Sequence, residues 1–255
     1  MKENFNTWEG IFQSFQEASA EVTGAGFNGE TWRSRTIKTA EDCLAALNSG
    51  TPIPAFHKQR STSLPPVVAM LLKEKTQIDI LDFGGGLGIG YMTLAESIPQ
   101  YSGKINYTIV EVPQICDAGR QIFSGKNISY VDTIPDKNKF DLIHSASAIQ
   151  YVEDWPGLLR KFNDCEPDYL FLSDVFTGNI PTFVTLQNYY GSKIAHWFFN
   201  QDELLSYISS LGYELIMKSF VSSRRLDAED ILPMGNFPED NRLDLTVHLL
   251  FKRIK

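Results

Sequence analysis

Four residues at the end of an apolar run carry the clearest chemical signal in this sequence. Asp82, Gly84, Gly86 and Gly88 alternate with other residues in the segment IDILDFGGGLGIG, which covers positions 78–90. Glycine reaches positive φ angles without strain and has no Cβ, so such a loop can turn tightly and let a ligand approach its backbone. The spacing predicts a ligand-binding loop in which Asp82 offers a negative charge to a cation such as an ammonium group.

The residues on either side of this loop predict the elements that hold it. The apolar run before Asp82 is typical of a buried strand, and apolar positions recur at helical spacing from Tyr91 to Ile98. The loop would then lead into a helix whose amino end lies beside the ligand. A glycine-rich turn that binds nothing is the alternative.

Strand-like and helix-like segments alternate from position 78 onward, which predicts an α/β fold with a largely parallel sheet. Further strands are predicted at 105–112, 128–131, 140–144, 169–175, 213–221 and 243–253. Helices are predicted at 113–123, after Asp154, and after Asn200, with Gly212 ending the last. The last two strands are joined without a helix, so we expect them to pair antiparallel.

About 75 residues precede this alternating region. They predict helices near 11–20, near 40–47, and after the pair Pro65 and Pro66. We therefore predict an N-terminal helical cap over residues 1–75 and one compact domain over residues 76–255. A helical brace that packs away from the ligand is the alternative.

The spacing Asp82-x-Gly84-x-Gly86-x-Gly88, followed by this order of elements, resembles the class I S-adenosylmethionine-dependent methyltransferases. The resemblance implies a Rossmann-like α/β fold: a seven-stranded, mostly parallel sheet with an antiparallel last strand, helices on both faces and a cap over the substrate. It also implies S-adenosyl-L-methionine as the cofactor and S-adenosyl-L-homocysteine as the product.

A second resemblance covers nearly the whole chain. The start Trp8-x-Gly10, the glycine motif and Val110-Glu111-x-Pro113 together resemble a narrower bacterial group of methyltransferases. Members of that group are often associated with surface-polysaccharide genes. The resemblance therefore implies a sugar or a related surface-glycan precursor as the acceptor, through gene context and not through chemistry.

Three further residues are predicted to bind the cofactor. Glu111 follows the second strand about 25 residues after Gly86, where nucleoside-binding folds place an acid on the ribose hydroxyls. A solvated acid at a strand end is the alternative. The resemblance implies contact of Asp132 with the adenine edge, although acids are common in turns. It also places Ser145, with Ala146, at the methionine end through backbone groups.

Methyl transfer to a hydroxyl requires a base, and an imidazole that titrates near neutral pH is suited to this role. His144 ends the fourth strand and His196 lies in the connection after the fifth strand, where the family generally builds its acceptor pocket. We predict these two histidines as the catalytic candidates. For each, a structural role is the alternative.

Other polar and aromatic residues are weaker candidates. They are Tyr151 and Asp174 near strand ends, His57 and Arg60 in the cap, and the pair Arg224 and Arg225, which could meet an anionic group such as a diphosphate. The aromatic segment 189–199 could stack on an acceptor or anchor a lid to the core.

Composition limits the kinds of partner. A formal charge of −8 and a pI near 5.1 argue against binding of nucleic acid and favour a small-molecule substrate. The three cysteines and four histidines show no metal-ligand spacing, so we expect no zinc site, and magnesium assistance through acids such as Asp174 stays open. Without an apolar signal core or a membrane span, a cytoplasmic location is expected. The oligomeric state stays open, with a homodimer among the options.

These observations predict a methyltransferase that uses S-adenosylmethionine and acts on a small polar acceptor, with O-methylation of a sugar or a surface-glycan precursor preferred. One alternative is a non-catalytic nucleoside-binding partner protein. A nicotinamide-dependent sugar oxidoreductase is less favoured, because the dinucleotide spacing G-x-G-x-x-G is absent from both Gly84 and Gly86.

Overall fold

The structure is a computed structural model that describes residues 5–136, 139–221 and 231–254. In these ranges the strands are β1 (Trp8–Phe12), β2 (Ile78–Phe83), β3 (Ile105–Val110), β4 (Ile128–Val131), β5 (Leu142–Ala146), β6 (Tyr169–Val175), β7 (Thr177–Gly178), β8 (Phe183–Tyr189), β9 (Ser192–Asn200), β10 (Tyr213–Val221) and β11 (Thr246–Arg253). The helices are α1 (Phe15–Ser19), α2 (Glu30–Ser49), α3 (Ala55–Lys58), α4 (Leu64–Leu71), α5 (Ile89–Ser97), α6 (Pro113–Ile122), α7 (Trp155–Asp164) and α8 (Gln201–Ser210).

The large sheet has the strand order β10-β11-β6-β5-β2-β3-β4. Strands β2 to β6 pair in parallel, and β11 runs antiparallel to both β6 and β10. This arrangement confirms the predicted seven-stranded α/β fold with its antiparallel last strand. The chain moves outward from β2 to β4 and then returns to β5, so the crevice between β2 and β5 lies at the switch point where such sheets bind ligands.

Both faces of the sheet are buried, which explains why its strands read as apolar runs. Successive residues of β2 point to opposite faces: Ile80 packs in one core cluster and Leu81 in the other. The first cluster includes Leu64 of α4 and Met92 of α5, whereas the second includes Phe162 of α7. The sheet edge carrying the glycine loop is thus fixed by packing on both sides.

The start of the chain differs from its prediction. A helix near 11–20 is wrong at its beginning, because Trp8–Phe12 forms β1 and pairs antiparallel with β8. Only Phe15–Ser19 is helical, and Ser14 caps this helix by accepting the Glu17 N–H at 3.1 Å. Trp8 is fully buried, so packing of this side chain favours the strand over the local helical pattern.

The other predicted cap helices are present, with different lengths. Helix α2 begins at Glu30, well before the predicted start, and ends at Gly50, whose φ of 72° is typical of a helix end. Helix α4 begins at Leu64 with Pro65 and Pro66 in its first turn. Among the described residues, no helix is long and apolar enough to cross a bilayer.

The connection after β6 was expected to be a pocket-forming segment, and it forms a second sheet. Its strand order is β1-β8-β9-β7, and β8 and β9 form a hairpin. Tyr190 and Gly191 make the turn with φ angles of 49° and 79°. This sheet joins the N-terminal segment to the connection after β6, because β1 comes from the first and β8 from the second.

Candidate functional site

The glycine loop lies between β2 and α5 at the carboxyl edge of the sheet. Gly84 and Gly86 have φ angles of 69° and 56°. A Cβ at position 84 would lie 2.4 Å from the Cβ of Ala148, so a larger residue does not fit there. A Cβ at position 86 would meet no atom within 4 Å, which shows that the loop faces open space. The backbone of the loop can therefore contact a ligand directly.

That open space is a cavity of about 560 Å³. Its lining combines the glycine loop, the ends of β3 and β5, the cap and the β8–β9 hairpin. The size lies in the usual range for small-molecule sites, about 300 to 1,000 Å³. Residues from the cap contribute directly, including Trp32, Arg35 and Arg60. The N-terminal segment therefore contributes to the wall of this cavity.

Glu111 lies beside the glycine loop, in the cavity wall. The Gly86 N–H donates to its Oε1 at 3.1 Å, and the Val112 N–H donates to its Oε2 at 2.9 Å. Burial raises the pKa of Glu111, although these two backbone hydrogen bonds act in the opposite direction. Each carboxylate oxygen can accept more than one hydrogen bond, so Glu111 can also accept from two adjacent hydroxyls of a ligand.

Asp82 is part of a buried hydrogen-bond network beneath the loop. Its side chain accepts from the Tyr107 hydroxyl at 2.6 Å through Oδ2, and from Nδ1 of His144 at 2.8 Å through Oδ1. Burial, followed by the charge of Asp82, raises the pKa of Tyr107, so this phenol stays protonated and donates. Asp82 is only 1% exposed, so its burial and these contacts favour a supporting role over the predicted direct contact with an ammonium group.

His144 is 0% exposed, although its ring borders the cavity. Its Nε2 lies 3.2 Å from the Ser173 hydroxyl, so both ring nitrogens have protein partners. An imidazole held in this way orients Asp82 and is poorly placed to take a proton from an acceptor. The geometry favours the structural alternative for this residue.

His196 lies in β9 and is not among the residues that line the cavity. It is 0% exposed and packs against Trp8, Phe176 and Phe198, with ring centroids 5.9, 4.5 and 5.0 Å away, and against the cavity residue Tyr151 at 5.2 Å. The hairpin turns this side chain toward the aromatic core of the second sheet. This placement does not support the predicted catalytic role, and we assign His196 to packing.

Replacement of His196 by phenylalanine should therefore leave methyl transfer within about threefold of the wild-type rate, because this residue does not line the cavity and phenylalanine keeps its aromatic packing. The measurement is the initial rate of S-adenosylhomocysteine formation with an acceptor that has been identified by screening panels of compounds. A fall of about a hundredfold or more, as expected for loss of a general base, would restore His196 as the catalytic residue.

The remaining predicted cofactor residues, Gly88, Asp132 and Ser145, do not line this cavity themselves. The Ser145 hydroxyl donates to the Phe83 carbonyl at 3.1 Å and ties β5 to β2, while Ala146 and Ser147 after it line the cavity. Asp132 is exposed and lines a neighbouring cavity of about 750 Å³. The two cavities share Phe83 and Val152, so Asp132 can belong to the same ligand site.

Arg60 and Asp174 meet where the cap reaches the end of β6. Nε of Arg60 lies 2.8 Å from Oδ2 of Asp174, whose Oδ1 accepts from the Thr246 hydroxyl at 2.5 Å. Asp174 is fully buried, whereas the Arg60 side chain is 55% exposed and lines the cavity. A guanidinium has five donors, so Arg60 can bind an anionic ligand group while it remains paired with Asp174.

One face of α2 was missed by the sequence reasoning. Trp32, Arg35 and Thr39 line the cavity, and Phe27 joins them from the turn before the helix. Their spacing of three and four residues marks one helix face, which was a usable signal. Among the weaker candidates, His57 and Tyr151 also line the cavity, while Arg224 and Arg225 lie outside the described residues.

Comparisons with known proteins agree with this architecture. The chain is 29% identical to histamine N-methyltransferase B from Xenopus laevis over 154 residues, covering 52% of each chain. It is 23% identical to histamine N-methyltransferase from Mus musculus over 185 residues, covering 64% of this chain and 61% of that protein. The chain thus spans about half the length of the curated relatives it matches.

Two solved structures share the fold. The 1,6-didemethyltoxoflavin-N1-methyltransferase of Burkholderia thailandensis superposes with a TM-score of 0.54 at 11% identity, covering 92% of this chain and 94% of that one. The magnesium protoporphyrin IX methyltransferase of Synechocystis gives a TM-score of 0.52 at 12% identity, covering 89% and 93%. At these identities the likeness concerns the fold alone.

A family model described as a methyltransferase domain matches residues 56–220, which include the glycine loop, Glu111 and the parallel strands of the sheet. The match covers more than half of the sequence. The chain therefore belongs to the methyltransferase-domain family.

Proposed function

We propose that this chain is an S-adenosylmethionine-dependent methyltransferase that acts on a small polar acceptor. The observation that carries the proposal is the meeting of an open glycine loop and a backbone-held carboxylate, Glu111, in one cavity that the cap covers. Structural neighbours described with bound S-adenosylhomocysteine or S-adenosylmethionine support the same cofactor.

The residues of the cavity fit this cofactor. Glu111 would accept the two ribose hydroxyls, and the bare backbone at Gly86 leaves room for the nucleoside. Asp132 would lie toward the adenine through the neighbouring cavity. Ala146, the last residue of β5, would border the methionine end, as the resemblance implies. Asp82 would act through the loop and not by direct contact, because this side chain is almost completely buried beneath the loop whereas Glu111 is only partly buried.

Arg60 is the proposed partner of the methionine carboxylate. It is anchored to Asp174 at the end of β6, and β6 adjoins β5, whose following residues border the methionine end. The Ser147 N–H donates to the Ser173 carbonyl at 2.8 Å, which holds this wall next to Asp174. A charge-assisted contact with Arg60 would thus orient the amino-acid end of the cofactor.

When bound, S-adenosylmethionine supplies a methyl group on a sulfonium; the carbon–sulfur bond breaks, sulfur keeps the electron pair, and the acceptor forms the new bond. The chain would contribute mainly alignment and exclusion of water, since positioning supplies much of the rate of such reactions. A base must take up the proton that the acceptor loses. His57 lines the cavity, and burial lowers its pKa, so a neutral imidazole is available there.

The candidate functions differ in the atom that would accept the methyl group. O-methylation of a sugar or a surface-glycan precursor is the preferred proposal from the sequence, whereas the names of the curated relatives favour N-methylation of an amine. A non-catalytic binding protein is the rival from another class. Incubation with S-adenosylmethionine and panels of sugars, nucleotide sugars and amines, with mass spectrometry of both products, separates them.

The proposal predicts acceptor-dependent formation of S-adenosylhomocysteine together with an equal amount of methylated product. Cofactor binding without turnover on any panel would favour the non-catalytic alternative. Binding of NAD in preference to S-adenosylmethionine would support the oxidoreductase and overturn the proposal.

A further inference from the structure

Four aromatic rings form one wall of the cavity; we call Phe27, Tyr151, Tyr189 and Tyr190 the aromatic wall. The Phe27 centroid lies 5.0 Å from that of Tyr151 and 5.4 Å from that of Tyr189, and the Tyr189 and Tyr190 centroids are 4.6 Å apart. These residues belong to the cap, the segment after β5 and the hairpin, not to the glycine loop. They offer contact area to the flat face of a ring-shaped acceptor.

The charges in the cavity are unequally distributed. Among the described lining residues, the charged side chains are Arg35, Arg60, Asp82 and Glu111. Both carboxylates lie on the cofactor side and already accept hydrogen bonds from the protein. A cationic acceptor at the aromatic wall would therefore meet guanidinium groups, and none of these lining residues would offer it a further carboxylate.

Arg35 lies next to the aromatic wall. Its Cζ lies over the Tyr190 ring, 5.0 Å from the centroid, and the side chain is exposed. A guanidinium that stacks on a ring keeps its in-plane N–H donors for other partners. Because Arg60 is held at the strand edge by Asp174, where we place the methionine carboxylate, Arg35 is the cation that remains for the acceptor among the described lining residues.

We propose, on the basis of the function above, that the methyl acceptor is a ring compound bearing a carboxylate or a phosphate. Its ring would lie against the aromatic wall, and Arg35 would bind its anionic group and so select it over neutral and cationic rings. An aromatic acid and an acidic sugar share this chemistry.

Binding of charge-matched pairs to the protein saturated with S-adenosylhomocysteine tests the proposal. One pair is 4-hydroxybenzoate and tyramine, and the other is glucuronate and glucosamine, so that each pair keeps its ring and reverses its charge. We expect the anionic member of at least one pair to bind about tenfold more tightly or better, as for one charge-assisted contact. The pair that responds distinguishes an aromatic acid from an acidic sugar.

Arg35→Gln should remove this preference and leave the affinity for S-adenosylhomocysteine unchanged. Lys38→Gln is the matched control, because it removes the same charge from the same helix. In the wild type, Lys38 pairs with Asp42 and does not line the cavity. Three results would each overturn the acceptor proposal. They are tighter binding of the cationic members, a preference for the anion that survives Arg35→Gln, and no binding of either anion up to about 10 mM, which is far weaker than usual acceptor KM values. Failure of S-adenosylhomocysteine itself to bind would instead overturn the proposed function.

Discussion

Replacement of Asp82 by alanine is expected to lower the free energy of unfolding by about 3 kcal/mol, because it leaves buried donors without their acceptor. The Tyr107 hydroxyl and Nδ1 of His144 both donate to this carboxylate, and all three side chains are almost completely buried. Urea unfolding followed by circular dichroism measures the change. The loop also loses a packing contact in this variant, because Oδ2 of Asp82 lies so near Gly85 that a Cβ built there would be 2.4 Å from it.

Two variants make this result specific. Tyr107→Phe removes one of the hydrogen bonds and should cost about 1 kcal/mol. Asp117→Ala removes an exposed acid that pairs with Arg120 on α6, and it should change stability by less than about 0.5 kcal/mol. If Asp82→Ala unfolds at the same urea concentration as Asp117→Ala, the buried network does not hold the loop.

Replacement of Glu111 by alanine should weaken binding of S-adenosylhomocysteine by about 1 to 3 kcal/mol, or about 5- to 150-fold, through loss of charge-assisted bonds to the ribose. Isothermal titration calorimetry measures this change. Asp117→Ala again serves as the control, because it removes an acid from the helix that follows Glu111 without touching the cavity. Wild-type affinity in Glu111→Ala would remove this residue from the site.

The same variant should change how stability depends on pH. Burial raises the pKa of Glu111 in the folded protein above its ordinary value of 4.5, so the folded state holds this proton more strongly than the unfolded state does. The contribution of Glu111 to stability is therefore largest below that value and declines as the pH rises through the raised pKa. The unfolding free energy of the wild type, measured relative to that of Glu111→Ala, should therefore be highest at acid pH and should fall as the pH rises to neutral. A difference that does not vary with pH would contradict the shift.

Features set by local spacing were predictable from the sequence. The glycine spacing predicted the loop, and the alternation of strands and helices predicted the sheet. The contact of Glu111 with Gly86 also follows from the order of elements, because β2 and β3 are parallel neighbours and end at the same edge. These relations depend on sequence order and secondary structure alone.

Features set by distant pairing were not predictable. Strand β1 pairs with β8, with Trp8 opposite Gln187, and no local pattern near residue 8 indicates that partner. The face of the sheet to which a strand residue points is also hard to predict, because a register shift of one residue exchanges the two faces. This explains why His144 and His196 were reasonable catalytic candidates by position and yet lie in buried, partnered environments.

The most direct test of the account is calorimetric titration of the purified protein with S-adenosylmethionine and S-adenosylhomocysteine, with NAD as a parallel control. We expect the first two to bind with dissociation constants of about 1 to 100 μM, roughly −8 to −5 kcal/mol, and NAD to show no detectable binding. Absence of binding to either sulfur compound, by protein shown to be folded through a cooperative unfolding transition, would contradict the assignment of the glycine loop and Glu111 to a cofactor site.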